Sequence, residues 1–236
     1  MARLETYTQA QIAALTAARP GEVKLGERMQ VLTSLEDLHA TSAKFVLLGL
    51  PEDIGVRANG GTGGTHSTWH PVLKAMLNIQ STSQWSGDNV ALLGYVDFTA
   101  EMALADACNL NTTAGLAAIR ALVGELDAAV SNVIAQILQA DKIPLVIGGG
   151  HNNAYPILRA LSQYHQQAVS VVNIDAHADF RALEGRHSGN GFSYAMHEGY
   201  LDKYAIIGLH ENYNSQAMLD TLKNKSEHIS YSFFDD

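Results

Sequence analysis

Asp175, His177 and Asp179 stand two residues apart, directly after the apolar run Val169–Ile174, in the stretch VVNIDAHADF. In an extended segment, side chains at i, i+2 and i+4 project to one side. The spacing therefore predicts two carboxylates and an imidazole converging on one spot. Crowding two like charges away from water is costly unless a cation neutralises them. A metal ion with mixed oxygen and nitrogen ligands resolves that cost; a hydrated, functionless strand end is the alternative. A second segment, IPLVIGGGHNN, ends an apolar run with Gly148, Gly149 and Gly150, followed by His151. Glycines let the backbone turn sharply and approach another group closely. His151 is thus expected at the carboxyl edge of a sheet, where open α/β sheets bind ligands. If both runs are parallel strands, His151, Asp175, His177 and Asp179 share one rim. Four such ligands hold one metal fully or two partly, and a carboxylate between two histidines suggests a close metal pair.

The elements that must position them are legible as apolar runs. Lys44–Leu50, Val90–Tyr95, Ile143–Ile147, Val169–Ile174 and Tyr204–Leu209 are rich in Val, Ile and Leu and do not alternate with polar residues. Runs of this kind suit strands covered on both faces of a parallel sheet, and all five are expected in one sheet. Thr113–Ala140 carries apolar residues three and four apart, from Leu116 to Leu138, and predicts a long helix. Asn152–Tyr164 and Ser215–Asn224 are shorter helical candidates. The alternation predicts an α/β fold, a three-layer α/β/α arrangement with a mainly parallel sheet, in a single domain over residues 1–236. Glu52–Ser67 is a Gly-rich loop, but it contains neither GxGxxG nor GxxxxGKS, so a phosphate cradle is the weaker reading and a flexible rim loop the plainer one.

Composition narrows the function. Charged residues make up only 17% and apolar residues 47%, a balance that disfavours disorder. The net charge of −9 and the lack of any basic run argue against a nucleic-acid or acidic-membrane partner. A single cysteine, Cys108, excludes an internal disulfide framework and fits a reducing compartment. The first residues contain no long apolar stretch of the signal-peptide kind. No uninterrupted run of roughly 18 apolar residues occurs, so no membrane span is expected. A cytoplasmic protein with a small-molecule substrate is the expectation.

GGGH, DAHAD and the following HSGNGF together resemble the arginase and ureohydrolase family, from about Phe45 to Tyr200. The resemblance implies an arginase-like fold and a binuclear manganese centre that hydrolyses C–N bonds of guanidinium or formimino groups. It implies that His151 binds one Mn2+ and His177 the other, that Asp175 bridges both, holding a bridging water, and that Asp179 joins His151. It also implies a homo-oligomer, a trimer or hexamer.

Departures from the family pattern refine this. Gly150 stands where arginases carry Asp, and Phe192 stands where they carry a histidine thought to shuttle protons. The SGNGF form is closest to the formimidoylglutamase branch, which implies conversion of N-formimino-L-glutamate to glutamate and formamide, a step of histidine degradation. His187 or His197 could then act as acid or base. Ser188 and Asn190 are candidate substrate contacts, and Arg57, Arg181 or Arg186 could bind the substrate's carboxylates, since arginine does so bidentately. The family's later Ser-x-Asp-x-Asp block has no match: Asp235 and Asp236 are adjacent, and adjacent strand residues face opposite ways. The chain is therefore expected to be incomplete at its C-terminus and to hold one Mn2+ or none, with a catalytically inactive fragment that retains the fold as an alternative reading. Hydrolysis of arginine, agmatine or guanidinobutyrate is the alternative activity.

Overall fold

The computed structural model describes residues 3–235, so Asp236 lies outside the described residues. In chain order the first elements are β1 (Arg3–Glu5), α1 (Gln9–Leu15), β2 (Gln30–Val31), β3 (Phe45–Leu50), α2 (Ile54–Ala58), α3 (Trp69–Leu77) and β4 (Val90–Asp97). Next come α4 (Thr99–Asp106), α5 (Thr113–Gln139), β5 (Ile143–Gly148), α6 (Ala154–His165) and β6 (Val169–Ile174). The last are α7 (Gly191–His197), β7 (Leu201–Leu209), α8 (Gln216–Asn224) and β8 (Ile229–Phe233). This is an α/β fold whose strands are mainly parallel. They divide between two compact units, the first built from residues 1–53, 63–107 and 132–150, the second from 54–62, 108–131 and 151–236.

The first unit contains the sheet β1-β4-β3-β5, with β2 also on β4. Only β1 runs antiparallel. Val46, Leu47, Leu48 and Leu50 are all buried, as a continuous apolar run covered on both faces requires. One face packs Leu47, Val90 and Leu92 against Ile12, Trp69, Leu73 and Leu77.

The second unit contains the parallel sheet β6-β7-β8. Its core joins Tyr204, Ile206 and Ile229 of the sheet to Tyr155, Leu158, Phe192, Ala195 and Leu222 of the helices. The expectation of one shared sheet is corrected here: β3, β4 and β5 lie in one sheet, β6 and β7 in another. Apolar runs specify strands, but they do not specify which edge each strand pairs with. Nor is β6 covered on both faces, because Val172 and Ile174 are 62% and 82% exposed. The Gly-rich stretch is likewise no plain loop, since Ile54–Ala58 is helical and Thr65–Ser67 forms a 3-10 turn.

Helix α5 is long and apolar enough to cross a membrane by length and composition, yet half of its most apolar window is buried. Its burial repeats at Ile119, Val123, Leu126, Val130, Ile134 and Ile137, the stripe of a core helix. The stripe includes a charge, Asp127, that meets a buried partner. Arg186 Nε and Nη2 donate to the two carboxylate oxygens of Asp127 at 2.8 and 3.2 Å. The guanidinium lies over the Tyr155 and Tyr194 rings, 4.4 and 5.2 Å from their centroids. Both charged side chains are under 10% exposed. Asp127→Ala therefore leaves a buried cation unpaired and should cost roughly 3–5 kcal/mol. Urea denaturation checks this; a loss below about 1 kcal/mol would show that Arg186 finds water or another acceptor.

Candidate metal centre

His151 begins a 3-10 turn, His151–Asn153, just past β5. The chain reaches it through Gly149, whose φ of 86° is open to glycine and strained for other residues. The Gly150 N–H donates to Glu52 Oε1 at 3.0 Å, fixing the exit from the strand. Asn152 leaves no room at Gly55 of α2, where a Cβ would collide with its side-chain amide. The His151 ring meets Phe192 edge-on, with centroids 5.3 Å apart, and Phe192 stacks on Tyr204 at 4.4 Å. The phenylalanine of SGNGF thus buttresses the first histidine from the core.

Asp175 and Asp179 both reach His151. Its Nδ1 lies 3.1 Å from Asp175 Oδ2 and 2.7 Å from Asp179 Oδ2. The donor atoms of these three residues lie within 4.8 Å of one another, the sole such group among the described residues. The other oxygen of Asp175, Oδ1, lies 3.4 Å from His177 Nδ1, so this carboxylate stands between two imidazoles.

Strand alternation does not produce this arrangement. β6 ends at Ile174, and residues 175–179 form a loop. Asp179 turns back through a left-handed conformation, φ 43°, which Asp tolerates better than most non-glycine residues. His177 is 57% exposed and outside the tight group, which corrects the expectation that all three side chains project together.

The loop is held by its neighbours. The Asp175 N–H donates to Ile207 O at 3.1 Å, and Tyr204 Oη donates to Ala178 O at 2.8 Å. Asn214 accepts from the Ala178 N–H at 2.9 Å. Beside the loop lies a cavity of about 380 Å3, lined by His177, Asp179, Arg181, Asn59, Tyr213 and Met218 among others. A larger cavity of about 490 Å3 shares Arg181, Ser215 and Met218 but contains none of the three clustered donors. The donor cluster, not the larger volume, marks the candidate site.

Several expected site residues have other work. His187 is fully buried; its Nδ1 accepts from the Gly189 N–H at 3.1 Å, and Nε2 faces Glu184 Oε1 at 3.2 Å. Burial, aided by the charges of Arg120 and Arg181 and opposed by Glu184, pushes it down to about 4. It caps the SGN turn as a neutral ring. Asn190 is fully buried, accepting from Arg186 Nη1 and the His187 N–H while donating to Ala182 O and Gly185 O. Ser188 Oγ accepts a long bond from Asn59 Nδ2, 3.4 Å. Arg186 is consumed by Asp127, Arg57 does not line the cavity, and His197 lines the larger one. Only Arg181 among these candidates faces the ligand cavity, half-exposed, with Nη1 donating to Asn59 Oδ1 at 2.9 Å. Sequence reasoning missed Asn59, Tyr204, Tyr213 and Asn214. The last two follow the apolar run ending at Leu209, and that strand-end position was the available signal.

Burial by itself pushes His151 down, but bonds to Asp175 and Asp179 and their charges outweigh it and raise the ring from 6.5 to about 9. Burial pushes Asp175 up, and the bonds from His151 and the His177 N–H outweigh that, lowering it from 3.8 to about 2. A raised folded-state value means stability fully present below pH 6.5 and lost as pH rises through about 9. The depressed carboxylate contributes above pH 3.8, and that contribution is lost as pH falls through about 2. Chelator-treated protein should thus lose thermal stability between about pH 6.5 and 9 relative to His151→Asn. Parallel melting-temperature profiles for the two proteins would contradict this.

The profile of the Arginase family matches residues 43–235. The chain is similar to a formimidoylglutamase of Chromobacterium violaceum, 30% identical over 185 residues, covering 76% of this chain and 52% of that protein. The chain spans about half the length of the curated relatives it matches. Among solved structures, a formimidoylglutamase of Bacillus subtilis superposes with a TM-score of 0.66 at 16% identity, covering 92% of this chain and 62% of that one. A formiminoglutamase of Trypanosoma cruzi, solved with Mn2+, superposes with a TM-score of 0.62 at 20% identity, covering 91% and 66%. With the fold shared and the family profile spanning both GGGH and DAHAD, this chain belongs to the arginase family.

Proposed function

We propose that the chain carries the metal centre of a C–N hydrolase of linear amidines, acting on N-formimino-L-glutamate to give glutamate and formamide. The observation that supports this best is the placement of Asp175, with Oδ2 toward His151 and Asp179 close by, and Oδ1 toward His177. A carboxylate between two imidazoles is the arrangement a bridging ligand needs. Two carboxylates and an imidazole form a mixed donor set that suits Mn2+ and other first-row ions. The relatives named formimidoylglutamase and the Mn2+ of the Trypanosoma cruzi structure favour manganese and the formimino substrate.

In this reading His151, Asp175 and Asp179 would hold the first ion, and Asp175 with His177 would hold the second. When bound, the metals neutralise the carboxylates and supply an activated water for attack on the amidine carbon. Metal binding also requires His151 to give up the proton it keeps in the metal-free protein. Arg181, at the wall of the cavity beside His177 and Asp179, binds a substrate carboxylate, and Asn59 holds its guanidinium in place. Burial of His187 leaves proton transfer to groups at the open cavity.

A second reading, a metal-binding fold without turnover, is favoured by the ligand count. Among the described residues the cluster includes three donors, with His177 beside it, and no further carboxylate. Assay of the manganese-loaded chain against formiminoglutamate, arginine and agmatine separates the two. Turnover of formiminoglutamate supports the first; stoichiometric Mn2+ binding with no turnover supports the second.

Two variants test the residue roles. His177→Ala should remove one Mn2+ and leave the other, lowering activity at neutral pH by about two orders of magnitude and moving the pH optimum upward. Retention of both ions and of activity would make His177 a structural residue. Arg181→Ala should raise KM for formiminoglutamate about 10-fold or more with a smaller effect on kcat, because a charge-assisted bond contributes roughly 1.5–3 kcal/mol. An unchanged KM would remove Arg181 from substrate recognition.

A further inference from the structure

The turn after β7 holds the ligand loop through main-chain and ring contacts that the reaction chemistry does not require. Asn214 Nδ2 donates to Ala176 O at 3.0 Å and to His210 O at 2.9 Å, while its Oδ1 accepts from the Ala178 N–H at 2.9 Å. The His210 N–H adds a bond to Ala176 O at 2.9 Å. The peptide groups on both sides of His177 are thereby tied to one asparagine. Tyr213 completes the clamp: its ring stacks on the His177 imidazole at 5.5 Å and on His210 at 4.3 Å, with interplanar angles of 23° and 24°. His177 is 57% exposed, and among the described residues its ion-pair partner is Asp175 Oδ1 at 3.4 Å. Among the described residues its ring contact is Tyr213, which is exposed, whereas His151 meets the buried Phe192.

We propose that the His210–Asn214 turn is a positioning element for His177, with Asn214 setting the backbone and Tyr213 setting the ring plane. This rests on the reading of His177 as a metal ligand. A half-exposed imidazole on a loop samples several rotamers, and a ligand that must be ordered at the moment of binding binds more weakly. Asn214 removes the backbone part of that freedom, and the tyrosine face removes much of the side-chain part. Tyr213 is itself 60% exposed, so truncating it leaves the core intact.

The test combines two readouts on the chain with its metal removed and restored. Amide hydrogen exchange in the metal-free protein should speed up at Ala178 in Asn214→Ala. Mn2+ titration, followed by the electron paramagnetic resonance of free Mn2+, should show the weaker site on the order of 10-fold weaker in Tyr213→Ala and in Asn214→Ala. Tyr213→Phe, which keeps the ring, should restore wild-type binding, a rescue that a general loss of stability would not give. If Asn214→Ala fails to fold, the Tyr213 pair decides. Wild-type Mn2+ affinity in Tyr213→Ala, with His177→Ala still losing the ion, overturns the positioning role and leaves the metal assignment standing. Wild-type affinity in His177→Ala overturns both.

Discussion

Two carboxylates reaching one imidazole is the constraint on which the rest of the second unit depends. Asp175 and Asp179 stand within hydrogen-bonding distance of His151, in partly buried positions where two like charges require a cation. In the metal-free protein the proton on His151 fills that role, which is why its ring titrates near 9 while Asp175 stays ionised down to about 2. A metal ion bound by these oxygens would compete with that proton for His151. The polypeptide around the cluster serves to keep these groups together when neither arrangement would form in a free loop.

That support is asymmetric. His151 is seated against Phe192, which stacks on Tyr204 in the buried core, and the same tyrosine donates to the ligand loop at Ala178 O. His177 is placed from the solvent side, by the turn that follows β7. One histidine is held by packing and the other by a turn, so the two rings differ in how rigidly they are placed.

The SGN segment shows how polar residues near a site can be conspicuous and still be structural. Arg186 binds Asp127 and Asn190, Asn190 also binds the backbone of Ala182 and Gly185, and His187 caps the turn. Each has its bonding capacity spent inside the unit. What the web delivers is a fixed rim, with Arg181 N–H bonded to Gly189 O at 2.9 Å and the Arg181 side chain left along the cavity. Arg181 thus stays half-exposed along the cavity, beside Asp179 and His177.

The sequence by itself determined the donor residue types and their attachment to strand ends. Apolar runs ending at Ile147 and Ile174 carry GGGH and DAHAD, and the strands form where those runs lie. The α5 stripe was equally legible, because helical periodicity is a local property. Tertiary structure decided how these donors converge. Asp179 reaches His151 through a left-handed turn, not through strand alternation, and no local pattern encodes a bond from Asn214 or a ring contact from Tyr213 some 35 residues away. It also decided which polar residues are free, since burial of His187, Asn190 and Arg186 follows from long-range partners such as Asp127. Strand pairing belongs to the same class: a continuous apolar run announces a buried strand, but edge choice depends on which strands compete for it, and that is fixed only when the chain is folded.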